Sequence, residues 1–420
     1  MKTVYFDAPV VLEGRVSKGD ARNRRICVPQ RHRDAVKAPG WVWMRVDAGQ
    51  PFFSYARCTP SRASIDITLP SFAVPRLPAG RFVHVEVAPA ETSAAEKSSA
   101  REDWLLHVDR EHYFAQGLGD EIALWSGHEP PFFVRRTPID EDLHWWLLGF
   151  YQAEGSKKSA VDFHVSNTNP ALLDKMITAL NTWGIDRSRL RLGLVHRKGT
   201  TDVAVRALFE PLELPIAFTR ATKKNDPCGL LYVNSSLPLA RMTVSKLANV
   251  FKHGFPSKEA ALAYAIGWLD GDGQILRKKT SIELILAGQT DEHEVLKHAL
   301  TLALGWVFES GAHHRNTDEG TRITLRASEM LDLLDVEAFA HSMNRARLLV
   351  AFDERTRGLR KGTLVGAYQR WGLRDSDNVL TPLGDRVVAG HRRHRTEIEK
   401  ARQLLAAAPK RKGLTYRRSS

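Results

Sequence analysis

The chain has 420 residues, 43% of them hydrophobic, with a formal net charge of +13 and an isoelectric point near 9.7. This length and apolar content exclude a disordered protein and predict two to four domains, while the positive charge favours an anionic partner, most often nucleic acid. The three cysteines lack CxxC spacing and no run of eighteen apolar residues occurs, which excludes a zinc cluster, a disulfide framework and a membrane span. We therefore expect a protein of the reducing cytoplasm.

The N-terminal third of the sequence is β-rich. Residues 1–87 contain short β-prone runs separated by turns, among them RRICVPQ and RFVHVEV, which predict a small barrel or sandwich. Residues 88–101, rich in Ala, Ser and Glu, predict a linker, and further short strands are predicted up to residue 138. The sequence therefore predicts an N-terminal β domain at 1–87, followed by a connecting segment at 88–138.

The pattern then changes, and the same pattern occurs twice. A helix at 140–156 is followed by the strand VDFHVSN, a helix at 169–184, and strands near RLRLGLVHR and TDVAVRALF. A second helix at 257–273 is followed by the strand SIELILAGQ, a helix at 290–306, and strands around FESGAHHR and TRITLRA. This self-similarity predicts a duplicated folded unit with a period of about 118 residues, from residue 154 to residue 272. The two units span 139–256 and 257–352.

The two repeated helices end in matching sequences, WLLGFYQAEG and YAIGWLDGDG. Each has two small residues four positions apart, a spacing that lets another helix backbone approach closely. Each then ends in an acid, Glu154 or Asp272, followed by a glycine that we expect in the left-handed conformation. The negative end of the helix dipole and a second carboxylate disfavour these charges, so we expect a cation between them, and hard oxygen ligands favour Mg²⁺.

These two motifs resemble the paired signature of the LAGLIDADG homing endonucleases in their double-motif, single-chain form. The resemblance covers residues 139–352. It implies an α+β fold of two pseudo-symmetric αββαββα domains, in which two saddle-shaped antiparallel sheets bind double-stranded DNA. It also implies a monomeric, nucleoid-associated endonuclease that cleaves both strands with Mg²⁺ or Mn²⁺. Glu154 and Asp272 would be its metal-binding catalytic acids, and Asp270 would face elsewhere on the helix, either as a structural residue or as one that supports the metal ligands.

Other positions of the family pattern indicate further active-site residues. Asn167 and Gln289 end the strand before the second helix of each repeat, where the family has a polar residue that positions water. Lys252 precedes the second signature helix, where a lysine is often present; the second half has only His341 or Arg345 for this role. We therefore expect Lys252, Asn167 and Gln289 beside the two acids.

Basic residues follow the signature helices and alternate along predicted strands, a pattern that suits contacts with DNA. Arg189 and Arg191 are two apart, as are Arg322 and Arg326 with Thr324 between them, which predicts one polar face on each strand. Side chains at the ends of these elements suit phosphate contacts, which fix register without reading sequence. The remaining predicted DNA-binding residues are Lys157, Lys158, Arg197, Lys198, Arg277, Lys278 and Lys279.

Residues 353–420 form a basic C-terminal extension, with a helical or winged-helix character in DSDNVLTPLGDRVVAG. Two other functions share the same scaffold. One is an intron RNA maturase, and the other is a non-cleaving DNA-binding regulator that pairs a LAGLIDADG-like core with a helix-turn-helix. The segment around the second motif also resembles inteins. Splicing needs a Cys or Ser at the start and an Asn at the end, whereas this chain begins with Met1 and ends RRSS.

Overall fold

The expected α+β class is confirmed by a computed structural model of the chain, whose described residues form three open sheets and one closed barrel. The structure describes residues 2–408 except for 6–9, 19–23, 35, 37, 48–51, 69–76, 90–111, 119, 126–131, 157–162, 224–226, 235, 278–280, 287–289, 309–313, 318–319, 341 and 361–364. The described residues divide into two compact units. The first comprises Met1–Asp140, Gly155–Ser166 and Ile177–Asn249, and the second comprises Glu141–Glu154, Asn167–Met176 and Val250–Ser420.

The first unit begins with an antiparallel barrel of six strands in the ring order β2-β3-β6-β5-β4-β7. Side chains alternate between the barrel interior and the surface, as in Val10–Val16, where Leu12 and Val16 are buried. Valine, isoleucine and leucine from five of the strands fill the interior, and β5 contributes Ala56 and Cys58. A β-rich N-terminal region was therefore predicted correctly. The strands are β2 (Val10–Val16), β3 (Arg25–Pro29), β4 (Gly40–Val46), β5 (Phe52–Pro60), β6 (Ser64–Thr68) and β7 (Phe82–Pro89).

A separate four-stranded sheet joins the start of the chain to the segment after the barrel, in the order β1-β8-β9-β10. Its first strand pairs in parallel with β8, and the other pairs are antiparallel. Short strands were expected after the barrel, but the return of the N-terminus to them was not. These strands are β1 (Lys2–Tyr5), β8 (His112–Leu118), β9 (Glu121–Trp125) and β10 (Phe132–Arg135).

The first unit ends in a third sheet with the order β11-β14-β12-β13. One face is apolar, where Leu192 pairs with Leu231 and both are fully or nearly fully buried, and the opposite face carries Arg191 beside Tyr232. The strands are β11 (His164–Asn167), β12 (Leu190–Arg197), β13 (Ile216–Thr222) and β14 (Cys228–Val233).

The strand predicted at TDVAVRALF is wrong, because this segment forms a helix, Asp202–Phe209. Thr201 caps it by accepting a hydrogen bond from the Ala204 amide, and the buried side chains Val205 and Phe209 lie four apart, which is helical spacing. The alternation of valines resembles a strand, yet Val203 is 77% exposed. The strands that follow β12 lie later in the chain, as β13 and β14.

Helices precede and follow the strands of the repeated region. α1 (Glu141–Glu154) and α5 (Lys258–Asp272) are the two signature helices, and Ser257 caps α5 by accepting from the Ala260 amide. The intervening helices are α2 (Pro170–Thr182), α3 (Asp202–Phe209) and α4 (Leu237–His253). Within the described residues no helix has the length and apolar character that a bilayer span needs.

The second unit contains the fourth sheet, which is antiparallel throughout and has the order β15-β16-β18-β17. Ile275, Leu284 and Ile323 lie side by side on its buried face. Its strands are β15 (Gly273–Arg277), β16 (Ile282–Leu286), β17 (His314–Thr317) and β18 (Gly320–Thr324), so the strand expected at 308–315 begins later than predicted. α6 (Thr290–Leu304) and α7 (Ala327–Asp335) complete this repeat.

Four helices follow, namely α8 (Met343–Arg360), α9 (Val365–Arg370), α10 (Pro382–Arg393) and α11 (Arg395–Ala407). Their basic side chains are paired with acids of α7, α8 and α11. Asp353 of α8, of which 4% is exposed, contacts His391 at 2.8 Å, Arg357 at 3.1 Å and also Arg402. Part of the positive charge of the C-terminal extension therefore serves to pack it against α8.

Candidate metal centre and basic sheet faces

The two signature helices pack in parallel with their main chains almost in contact. A methyl group placed on Gly149 would lie 2.0 Å from the Tyr264 carbonyl oxygen, and one on Gly267 would lie 2.0 Å from that of Trp146. One turn later, a methyl group on Gly271 would lie 2.6 Å from the Ala153 Cβ and 3.0 Å from the Glu154 Cγ. Only glycine permits this approach, which brings the C-terminal ends of α1 and α5 together.

Glu154 and Asp272 therefore lie beside each other at these helix ends. Burial, and then the negative charge of Asp272, raise the pKa of Glu154 from 4.5 to about 8, although the hydrogen bond from Asn167 acts in the opposite direction. Asn167 donates from Nδ2 to Glu154 Oε1 at 2.9 Å and accepts at Oδ1 from the Asn169 amide at 2.8 Å. The Asn167 amide is thus held on both sides, and it fixes the direction of the Glu154 carboxylate.

This arrangement of donors fits a hard divalent cation. Burial and a neighbouring carboxylate disfavour the ionised form of Glu154, and a cation between the two carboxylates would favour both ionised forms. Mg²⁺ is commonly bound by one or two carboxylates, with water and substrate phosphate completing its coordination. The described residues contain no cluster of three or more His, Cys, Asp or Glu side chains that could hold a metal ion.

Asp270 has a structural role, as expected. Its side chain is 1% exposed and accepts hydrogen bonds from Trp146 Nε1 of α1 and from the Phe339 amide, both at 2.9 Å. Lys175 Nζ lies 3.7 Å from Asp270 Oδ2 and 4.4 Å from the centre of the Trp146 ring. Burial lowers the pKa of Lys175, while Asp270 opposes this effect. Asp270 therefore links the two signature helices, and Lys175 supplies the adjacent positive charge.

Several predicted active-site residues are not brought to the acids. Lys252 is exposed in the last turn of α4, before the start of α5, whereas Asp272 ends α5 about 20 Å further along the helix axis at ~1.5 Å per residue. A lysine side chain does not reach that far. Arg345 instead pairs with Glu397 at 2.8 Å. Gln289 and His341 lie outside the described residues.

The glycine after the second acid was expected in the left-handed conformation, and this prediction is wrong. Gly273 has φ −70° and ψ 128°, because the chain passes directly from α5 into β15. A Cβ at this position would lie 2.6 Å from the Leu269 carbonyl oxygen and 2.8 Å from the Phe339 ring. Glycine is needed here for space and not for its conformational freedom.

The predicted DNA-binding residues fall into three groups. Arg197 and Lys198 are exposed where β12 ends, and Arg191 lies on the open face of its sheet, with Nη1 2.7 Å from the Ser188 and Leu190 carbonyl oxygens. Arg322 lies on the corresponding face of the fourth sheet, where its Nη1 is 3.6 Å from Glu283 Oε2. The residues outside the described part of the chain are Lys157, Lys158, Lys278 and Lys279.

Of the other three arginines, Arg189 and Arg326 do not lie on the predicted strand faces. Arg189 belongs to a short 3₁₀ turn, Arg187–Arg189, before β12, so it does not share a strand face with Arg191. Arg326 lies past the end of β18, where its amide donates to Glu329 Oε2 at 2.8 Å and begins α7. Arg277 is exposed at the end of β15 but pairs with Glu354 at 2.6 Å. The alternation along β18 nevertheless holds, with Thr321 and Ile323 buried and Arg322 half-buried between them.

No protein-family model matches the chain, and no curated protein is similar to it at a significant level.

Proposed function

We propose that this chain is a site-specific double-strand DNA endonuclease of the LAGLIDADG homing type, acting as a monomer with Mg²⁺ or Mn²⁺. The observation that carries the proposal is the carboxylate pair. Glu154 and Asp272 end two parallel helices whose main chains touch, and the pKa of Glu154 rises through burial and through Asp272. A pair of carboxylates that is costly without a cation, in a chain of net charge +13, suits a metal-dependent enzyme acting on nucleic acid.

The topology supports the duplicated domain that the resemblance implies. The order β16-β18-β17 in the second repeat corresponds to β11-β14-β12 in the first. Gly155, bridged to Val165, takes the place of β15, and the first repeat has α3 and β13 as an insertion. Two motifs with small residues four positions apart, two acids and two equivalent strand orders agree with one origin for both halves.

Different residues would bind the metal ion, orient its ligands and contact the DNA phosphates. Glu154 and Asp272 would hold the divalent cation, and Glu154 would release its proton on binding it. When bound, such an ion lowers the pKa of a coordinated water and neutralises charge on the phosphodiester. Asn167 fixes the direction of the Glu154 carboxylate through its 2.9 Å hydrogen bond, and it would so orient this ligand for the ion. Exposed Arg197 and Lys198 suit phosphate contacts that hold the duplex without reading its sequence.

The test is cleavage of a plasmid that carries the genomic region around the gene, with Mg²⁺, by wild type, Asp272→Asn and Glu154→Gln. We expect linear product from wild type and at least about 100-fold slower cleavage from either variant, because each removes one anionic ligand. Glu399→Gln, an exposed acid of α11, is the matched control and should cleave at the wild-type rate.

The other functions predict different results. Equal cleavage by wild type and Asp272→Asn would refute the role assigned to that acid. Tight binding to one DNA sequence without cleavage by any form would indicate the regulator, and intron RNA splicing without DNA cleavage would indicate the maturase.

A further inference from the structure

Asp272 lies between two points at which another segment of the chain contacts the end of α5. Two residues before it, the Asp270 carboxylate accepts a hydrogen bond from the Phe339 amide at 2.9 Å. One residue after it, the Gly273 carbonyl oxygen accepts from Asn344 Nδ2 at 2.8 Å. The contacting residues belong to 337–340, which follow α7, and to 342–344, where α8 begins; we call these described residues the 337–344 segment.

Asn344 uses both ends of its amide on the main chain around Gly273. In addition to the bond from Nδ2, its Oδ1 accepts from the Ile275 amide at 3.3 Å and from Arg347 Nη1 at 3.1 Å. This matters because α5 has no left-handed cap. The Gly273 amide closes the helix on the Leu269 carbonyl oxygen, and the chain then enters β15. A side chain from outside therefore stabilises the junction that follows Asp272.

The 337–344 segment has an unusual backbone that serves these contacts. Glu337 and Phe339 have φ of 56° and 62°, in the left-handed region that non-glycine residues rarely adopt. The Phe339 ring is 1% exposed and lies against Gly273. Such conformations persist where surrounding contacts enforce them. Here they place the Phe339 amide on Asp270 and its ring on the helix end.

Both acids have contacts that fix the chain around them. Asn167 donates to the Glu154 carboxylate, and on either side of Asp272 the 337–344 segment contacts the Asp270 side chain and the Gly273 main chain. In the first repeat, the position equivalent to Asp270 is occupied by the buried, uncharged Gln152.

We propose that Asn344, acting with the Phe339 amide, is a positioning residue that holds Asp272 opposite Glu154 and so sets the affinity of the metal site. This inference rests on the proposed function. Asn344 need not touch the cation, because it acts through the main chain of Gly273. Its loss would let the last turn of α5 shift and separate the two carboxylates, which costs metal affinity before it costs folding.

The experiment measures Mn²⁺ binding by electron paramagnetic resonance, with Mn²⁺ alone as the probe, for wild type, Asp272→Asn, Asn344→Leu and Thr356→Val. Leucine at position 344 has a similar volume to asparagine but makes none of the hydrogen bonds of its amide. Thr356, fully buried in the same helix, donates only to the Phe352 carbonyl oxygen at 2.8 Å, so Thr356→Val measures general destabilisation of α8. If Asn344→Leu does not fold, Asn344→Ser replaces it.

We expect Asn344→Leu to weaken Mn²⁺ binding by about 10-fold or more, the usual effect of losing a group that orients a metal ligand. Thr356→Val should stay within about twofold of wild type even where its melting temperature falls equally. The Mg²⁺ concentration for half-maximal cleavage should rise in parallel for Asn344→Leu only. Wild-type affinity in Asn344→Leu would overturn this inference alone, whereas absence of Mn²⁺ binding by wild type would overturn the proposed function as well.

Discussion

The raised pKa of Glu154 makes the stability of the metal-free protein depend on pH in a direction opposite to that of most surface acids. The folded protein keeps this carboxyl protonated up to about pH 8, while in an unfolded chain it ionises near pH 4.5. Between these values the folded state binds the extra proton. Stability contributed by this group is therefore full at low pH and is lost as the pH rises toward 8.

The size of this stability loss follows from the difference between the folded and unfolded pKa values of Glu154. Roughly 3.5 pH units at about 1.4 kcal/mol each give an upper bound of about 5 kcal/mol, and partial solvent access reduces the expected value to roughly 2–4 kcal/mol. Glu154→Gln removes the titrating group and keeps the shape and the acceptor oxygen for Asn167. In Glu154→Gln the free energy of unfolding should not show this decrease as the pH rises toward 8.

The assay is urea unfolding of wild type and Glu154→Gln at intervals between pH 5 and pH 8.5, in the presence of a chelator. The difference between the two profiles isolates Glu154, and Glu399→Gln on the exposed face of α11 controls for the loss of an acid. Millimolar Mg²⁺ at pH 8 should restore part of the lost stability in wild type, because a ligand that binds the folded state stabilises it. Parallel profiles for wild type and Glu154→Gln would refute the reasoning.

Three further predictions concern the helix contact, the DNA and the C-terminal extension. Gly267→Ala should destabilise the protein by about 3 kcal/mol or more in urea unfolding, since the methyl group would meet the main chain of α1, whereas Gly366→Ala in a helix with open space should be neutral or stabilising. The double variant Arg197→Gln, Lys198→Gln should lower the slope of log affinity against log salt by about 2 in filter binding, with little change in sequence preference. Asp353→Asn should destabilise by about 2 kcal/mol and expose the C-terminal helices to limited proteolysis, because Arg402 loses its counter-charge and the buried His391 loses its carboxylate partner.

The fold was predictable where local pattern and packing agree. The helices α1 and α5 were expected because their apolar content and their small residues four positions apart both indicate them, and the barrel strands alternate between interior and surface. The sequence near 201–209 misled because valines at alternate positions resemble a strand, while the cap at Thr201 and the four-residue spacing of Val205 and Phe209 decide for a helix. The pairing of β1 with β8 is non-local, and no short-range signal predicts it.

The candidate site was predictable to the same extent. Glu154, Asp272 and Asn167 could be predicted because each lies at the end of a helix or strand that the sequence pattern indicates. In the structure Asn167 donates a hydrogen bond to Glu154. Lys252 was not brought to the acids, because its place before α5 in the sequence puts it at the opposite end of that helix. Lys175 and Asn344 were missed, since each reaches the signature helices through tertiary contacts. A lysine that lies over a tryptophan of the first signature helix has no short-range signature.

The most direct test of the central claim is a crystal structure of the protein grown with Mn²⁺, with anomalous difference maps to locate the metal. The account predicts an anomalous peak about 2.2 Å from a carboxylate oxygen of Glu154 and from one of Asp272, at the paired ends of the two signature helices. A Mn²⁺-dependent nuclease activity with no peak between these two side chains, or with the metal bound elsewhere, would contradict it.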